Sequence, residues 1–171
     1  MNDVIFAKPK EIHTLSVYVA NTPGALARIA QVFSRRGYNI ESLVVSAAMD
    51  GSFSRMTIGV SGDKAGLDQI IKQVLKLIDV IHCMDHTFDN AVSKEMALIK
   101  IAAGPEERSE ALQIAEHFGC KTVDLTEKSM ILQAVGNSSK LDSLAKMISK
   151  FKIIEIVRTG KVTMIRGEEE T

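Results

Sequence analysis

The chain has 171 residues, 46% of them hydrophobic, enough to bury one sizeable core or two small ones. Basic and acidic residues balance at 21 each and are interspersed; the absence of a basic tail or stripe speaks against nucleic acid, and no uncharged apolar run is long enough to span a bilayer. The apolar part of the N-terminus is too short for a signal peptide, and Cys83 and Cys120 lie far apart without C-x-x-C spacing, so a reduced cytoplasmic setting is expected.

Glu11 to Val19 reads as a strand, with Ile12, Leu15, Val17 and Val19 among its apolar positions. After the turn Asn21-Thr22-Pro23-Gly24, the apolar residues Leu26, Ile29, Ala30 and Phe33 recur at helical spacing. Thr22 is the expected cap and Pro23 a first-turn residue; Gly37 ends the helix. Asn39 to Ala47 and Phe53 to Val60 are strands joined across Asp50-Gly51, a hairpin signal. Asp63 caps a second helix whose buried side is expected to carry Leu67, Ile70, Ile71, Val74 and Ile78, and Asp79 to Thr87 is the fourth strand. The order β-α-β-β-α-β is the split arrangement in which two helices cover one face of a four-stranded antiparallel sheet.

A polar linker is expected over Phe88 to Lys94, after which the pattern repeats. Met96 to Ala102 is a strand, and Pro105 opens a helix over Glu106 to Phe118. Cys120 to Thr126 and Ser129 to Val135 form a strand pair, Ser138 to Lys150 a helix and Lys152 to Arg158 a strand, with Lys161 to Ile165 a short extension before a frayed Gly-Glu-Glu-Glu-Thr end. The repeat is visible in the residues themselves: G62-D-K-A-G-L-D-Q-I-I-K-Q-V-L-K aligns with G136-N-S-S-K-L-D-S-L-A-K-M-I-S-K, and E11-I-H-T-L-S-V with E95-M-A-L-I-K-I. The fold class is therefore α+β, tandem ferredoxin-like βαββαβ units, spanning 11–88 and 95–166.

Motifs for catalysis are missing. No G-x-G-x-x-G, P-loop, H-E-x-x-H or G-x-S-x-G occurs, and Arg158-Thr159-Gly160-Lys161 reads as a turn. His82 and His86, with Cys83 and Asp85 between them, suggest a metal site only superficially, because residues four apart on a strand stand roughly 13 Å apart. A nucleic-acid module would need adjacent aromatics on the central strands, and Phe53 and Tyr38 are the ones assigned there. Arg28, Arg35 and Arg36 on the first helix, with Arg55, make either a solvated surface or a face for an anion or an acidic partner.

The turn Asn21-Thr22-Pro23-Gly24 is the strongest local site. It leads into a helix N-terminus, whose free N–H groups and positive dipole end favour a carboxylate, and Gly24 lets a ligand approach the backbone. Asn21 and Asn39 are expected at the same end of the sheet, where their carboxamides could meet both charges of an α-amino acid zwitterion. The alternative is that Gly24 and both asparagines merely make turns.

The stretch L15-S-V-Y-V-A-N-T-P-G-A-L-A-R-I-A-Q-V-F-S-R-R-G-Y-N-I-E-S-L43, followed by S54-R-M-T-I58, resembles the small regulatory subunits of acetohydroxyacid synthase (acetolactate synthase), over nearly the whole chain. The run Lys76-Leu77-Ile78-Asp79-Val80 is also similar, though short. The resemblance implies an N-terminal ACT domain (11–88), effector-binding and partner-activating, and a regulatory C-terminal domain of related topology (95–166). It implies a non-catalytic chain that binds no cofactor and activates a large catalytic subunit using thiamine diphosphate, Mg2+ and FAD. It further implies a homodimer through the ACT domains and feedback inhibition by valine or another branched-chain amino acid. Asn21, Gly24 and Asn39 match the positions expected to hold the effector's charged groups, Ala25 and Leu26 continue that helix N-terminus, and Val45 is expected to line the side-chain pocket. Pro23 should stiffen the loop. A free-standing amino-acid sensor of the same fold is the other reading.

Overall fold

A computed structural model describes residues 12–88 and 90–171; Glu11 lies outside the described residues. The first repeat folds as β1 (Ile12–Ala20), α1 (Ala25–Arg35), β2 (Asn39–Ala47), β3 (Phe53–Ser61), α2 (Lys64–Val74) and β4 (Val80–Asp85). Its four strands lie in the order β2-β3-β1-β4, every neighbour antiparallel. Strand alternation sends Leu15, Val17 and Val19 of β1 and Met56, Ile58 and Val60 of β3 into one core, against Ile29 and Phe33 of α1 and Leu67, Ile70 and Val74 of α2.

The second repeat comprises β5 (Ala91–Ala102), α3 (Pro105–His117), β6 (Lys121–Leu125), β7 (Ser129–Gly136), α4 (Ser138–Ile148) and β8 (Lys152–Arg158), followed by β9 (Val162–Ile165). The order β6-β7-β5-β8 repeats that of the first sheet, and β9 pairs with β5. A separate core forms from Ile99, Ile101, Met130, Leu132, Leu141, Leu144 and Ile148. Two compact units result, one of the chain up to Val92 together with Thr163–Thr171, the other of Ser93–Val162. The aligned helices start alike: Asp63 accepts from the Gly66 N–H, and Asn137 from the Lys140 N–H, each at 2.9 Å.

Four local expectations are corrected. The linker expected over 88–94 is partly strand, since β5 begins at Ala91, where the alternating sequence finds β9 as a pairing partner. Helix α2 stops at Val74, and hydrogen bonds from Lys76 N to Gln73 O and Leu77 N to Val74 O turn the chain, so Ile78 leaves the helical period and is 96% exposed. The C-terminus is not frayed: Thr171 is buried, its Oγ1 accepting from the Ile165 N–H at 2.8 Å. Thr22 does not cap α1, and Pro23 stands outside it; the N-cap is Gly24, at φ 84°.

Candidate functional site

The 21–24 turn is held entirely from below. The Asn21 N–H donates to Ser52 O at 2.9 Å and its Nδ2 to Gly51 O at 2.9 Å, tying the turn to the β2–β3 hairpin. Thr22 N donates to Ala20 O, and Ala25 N to Thr22 O, which bends the chain into the left-handed conformation at Gly24 that only glycine adopts cheaply. Helix α1 thus begins without a side-chain cap and without an acidic residue in its first turn, whereas Asp63 and Asn137 cap α2 and α4. Orphan N–H groups and the positive dipole end remain for an outside anion.

Beneath the turn lies a polar clasp that the sequence reading missed. Arg28, one turn into α1, donates from Nε and Nη2 to Asp79 Oδ2, each at 2.7 Å, and Thr22 Oγ1 donates to Asp79 Oδ1 at 3.0 Å. The Arg28 guanidinium and the Thr22 hydroxyl hold the Asp79 carboxyl below the ordinary carboxylate range. Asp79 also gives its backbone carbonyl to Ala20 N at 2.7 Å. The signal was the short Lys76–Val80 run.

The six candidate residues do not converge within one chain. Asn21 follows the end of β1, where Ala20 opposes Phe53, whereas Asn39 opens β2 opposite Ser61, which pairs with Ile12 at the start of β1. Because β1 and β2 both run antiparallel to β3, the two asparagines stand at opposite ends of the sheet, a strand length of roughly 26 Å apart. The same-end expectation is therefore wrong for a single chain. Asn39 donates to Glu41 Oε1 at 3.0 Å. Val45 does lie toward Asn21's end, opposite Met56, on the helix-bearing side of edge strand β2. It is 44% exposed and Leu26 39% exposed, while Ala25 is buried.

Elsewhere, Cys83 enters the core and burial pushes its thiol up to about 12. His82 lies on the other face of β4, its ring 5.5 Å from that of Tyr18, and no group of three His, Cys, Asp or Glu side chains converges among the described residues. The aromatic inventory of the central strands is also corrected: β1 lies beside β3, so Tyr18 stacks on Phe53 at 5.2 Å, with Arg55 over Tyr18. Tyr38 is not on a strand; it follows Gly37 and packs against Gly62 and Gly66.

Comparison with known proteins bears on the whole chain. Residues 15–82 match the family described as AHAS small subunit-like ACT domain, and residues 94–167 that described as the small subunit of acetolactate synthase. An acetolactate synthase small subunit of Mycobacterium leprae is 44% identical over 155 residues, covering 91% of this chain and 92% of that one. One of Mycolicibacterium smegmatis is 43% identical with 91% of both covered. The crystal structure of the acetolactate synthase small subunit of Thermotoga maritima superposes with a TM-score of 0.81 at 34% identity, covering 92% of this chain and 99% of that one.

Proposed function

Because the chain belongs to the acetolactate synthase small-subunit family, we propose that it activates the large catalytic subunit and lets valine or another branched-chain amino acid reverse that activation. The thiamine diphosphate chemistry stays with the catalytic subunit, in the reducing cytoplasm that suits two free thiols. The first unit binds effector and activates; the second modulates the response.

The observation that carries the effector reading is the uncapped N-terminus of α1 above an exposed glycine turn, beside an edge of β2 that has no strand partner among the described residues. A second copy resolves the separation of the asparagines. If two β2 edges pair antiparallel about a two-fold axis near Leu43, Asn39 of one copy comes opposite Ala47 of the other. That is the end at which Asn21 and Gly24 sit. The α1 N-terminus then takes the effector carboxylate, the two asparagine carboxamides take its charged groups, and Val45 and Leu26 meet its side chain. Each methylene buried there contributes about 0.8 kcal/mol, enough to favour valine over alanine. Binding changes activity only by preferring one state of the complex; a tenfold preference supplies about 1.4 kcal/mol.

The test is titration of this chain into the catalytic subunit of the same organism with pyruvate as substrate, with and without valine. Activation reversed by valine is the expected result. Activation indifferent to valine, leucine and isoleucine would remove the effector site, and no activation would leave a free-standing sensor.

A further inference from the structure

The fold disperses the basic face that the sequence groups on α1. Arg28 is neutralised by Asp79, and Arg55 lies over the Tyr18 ring at 5.7 Å. Arg35 and Arg36 remain together at the C-terminal end of α1. Arg36 is fixed in place by α2: its Nε donates to Gln73 Oε1 at 3.1 Å and its Nη1 to Gln69 Oε1 at 2.7 Å. Beside it is a surface depression of about 590 Å³ lined by Arg35, Arg36, Tyr38, Gly66 and Gln73.

The choice of partners is informative. A guanidinium that served only to clamp α1 to α2 would be better met by Glu at position 69 or 73, since a charge-assisted bond is about twice as strong as one to a neutral acceptor. Arg158 has such partners in Glu95 and Asp142, as Arg28 has in Asp79. Two carboxamides instead hold the Arg36 fork still and leave its charge intact. Asp63, in contact with Tyr38 beside the same depression, is engaged by the Tyr38 hydroxyl at 2.9 Å and the Gly66 N–H at 2.9 Å. The helix dipole accounts for Arg35 in the last turn of α1, but not for Arg36, whose guanidinium reaches across to another helix. A fork immobilised in this way, with no carboxylate partner among the described residues, is preorganised for carboxylates.

We propose that Arg35 and Arg36 are a docking site for acidic side chains on the catalytic subunit. The site rests on the regulatory-subunit reading. Docking and effector then occupy opposite ends of α1, about 16 Å apart along one rigid helix of 11 residues.

The test compares the wild-type chain with Arg36→Glu, Arg35→Glu and, as a charge-matched control in the second unit, Lys121→Glu, each titrated into the catalytic subunit at low and high salt. Arg36→Glu is expected to raise the half-saturating concentration about tenfold or more and to flatten its salt dependence, because charge reversal sets like charges against each other. Arg35 has no hydrogen bond or ion pair among the described residues, so Arg35→Glu reports on docking without loss of a native contact; it should shift the same way. Lys121→Glu should match wild type. Wild-type activation with unshifted half-saturation in both arginine variants would overturn the docking site alone, as would an equal shift in Lys121→Glu. Failure of wild type to activate would instead sink the regulatory reading beneath it.

Discussion

Arg28 reaches back beneath Gly24 to bind Asp79 through two nitrogens, each at 2.7 Å, so the turn before α1 and the turn before β4 are one clasped unit. A methyl group placed on Gly24 would stand 3.0 Å from Arg28 Nη1, which shows how closely the clasp underlies the exposed turn. The relationship makes Asp79 a positioning residue for the proposed effector site, although it is absent from the 21–24 motif.

Asp79→Asn should therefore weaken valine inhibition, raising the valine needed for half-inhibition, while half-saturation with the catalytic subunit stays near wild type. Its effect on stability has a defined pH window. The folded carboxyl titrates below its unfolded value, so its stabilisation is present above about pH 4 and fades as pH falls through the lowered folded value. Thermal melts of wild type and Asp79→Asn should differ at pH 7 and converge in acid. Curves that stay equally far apart down to pH 2 would assign the difference to something other than this ionisation.

Gly24→Asp should abolish valine inhibition and preserve activation. The substitution forces an L-residue to φ 84°, a cost of about 1–2 kcal/mol, and sets a carboxylate at the uncapped end of α1 in place of the effector's own. Calorimetric titration with valine measures the loss directly. Valine affinity equal to wild type would move the site elsewhere.

Gly66→Ala should destabilise the first unit although it replaces glycine in a helix. Helix propensity favours alanine by about 1 kcal/mol, but the added Cβ would stand 1.6 Å from the Tyr38 hydroxyl and displace a ring that packs over Gly62 and donates to Asp63 at 2.9 Å. Overpacking of this kind costs about 1–3 kcal/mol and outweighs the propensity. In urea unfolding, Tyr38→Ala should relieve the clash, so the double variant should fall well short of the summed single losses. Strict additivity would mean that the ring and the glycine do not interact.

Cys120 should react with iodoacetamide before Cys83. Burial raises both thiols, but Cys83 is carried up to about 12 and lies in the core, leaving almost no thiolate at pH 8. Peptide mass mapping of briefly treated native protein should find the label at Cys120 and reach Cys83 only in denaturant. Early labelling of Cys83 would reveal local opening of β4.

The periodicities of 2 and 3.6 in this sequence, its glycine and Asp-Gly punctuation and its internal alignment sufficed for the β-α-β-β-α-β order and for its repetition, because those signals are local. They also marked the turn of Asn21 and Gly24, since its glycine and proline are local signals, although Asn21 is held there by Gly51 and Ser52 of the β2–β3 hairpin. Which residues face one another was decided only by strand pairing and helix packing. Pairing of β3 with both β1 and β2 sent Asn39 to the far end of the sheet from Asn21, and brought Tyr18 beside Phe53. The same fold split one run of arginines into a neutralised Arg28 and a charged Arg36 held by carboxamides, since acceptors 33 to 51 residues away are invisible to any local pattern.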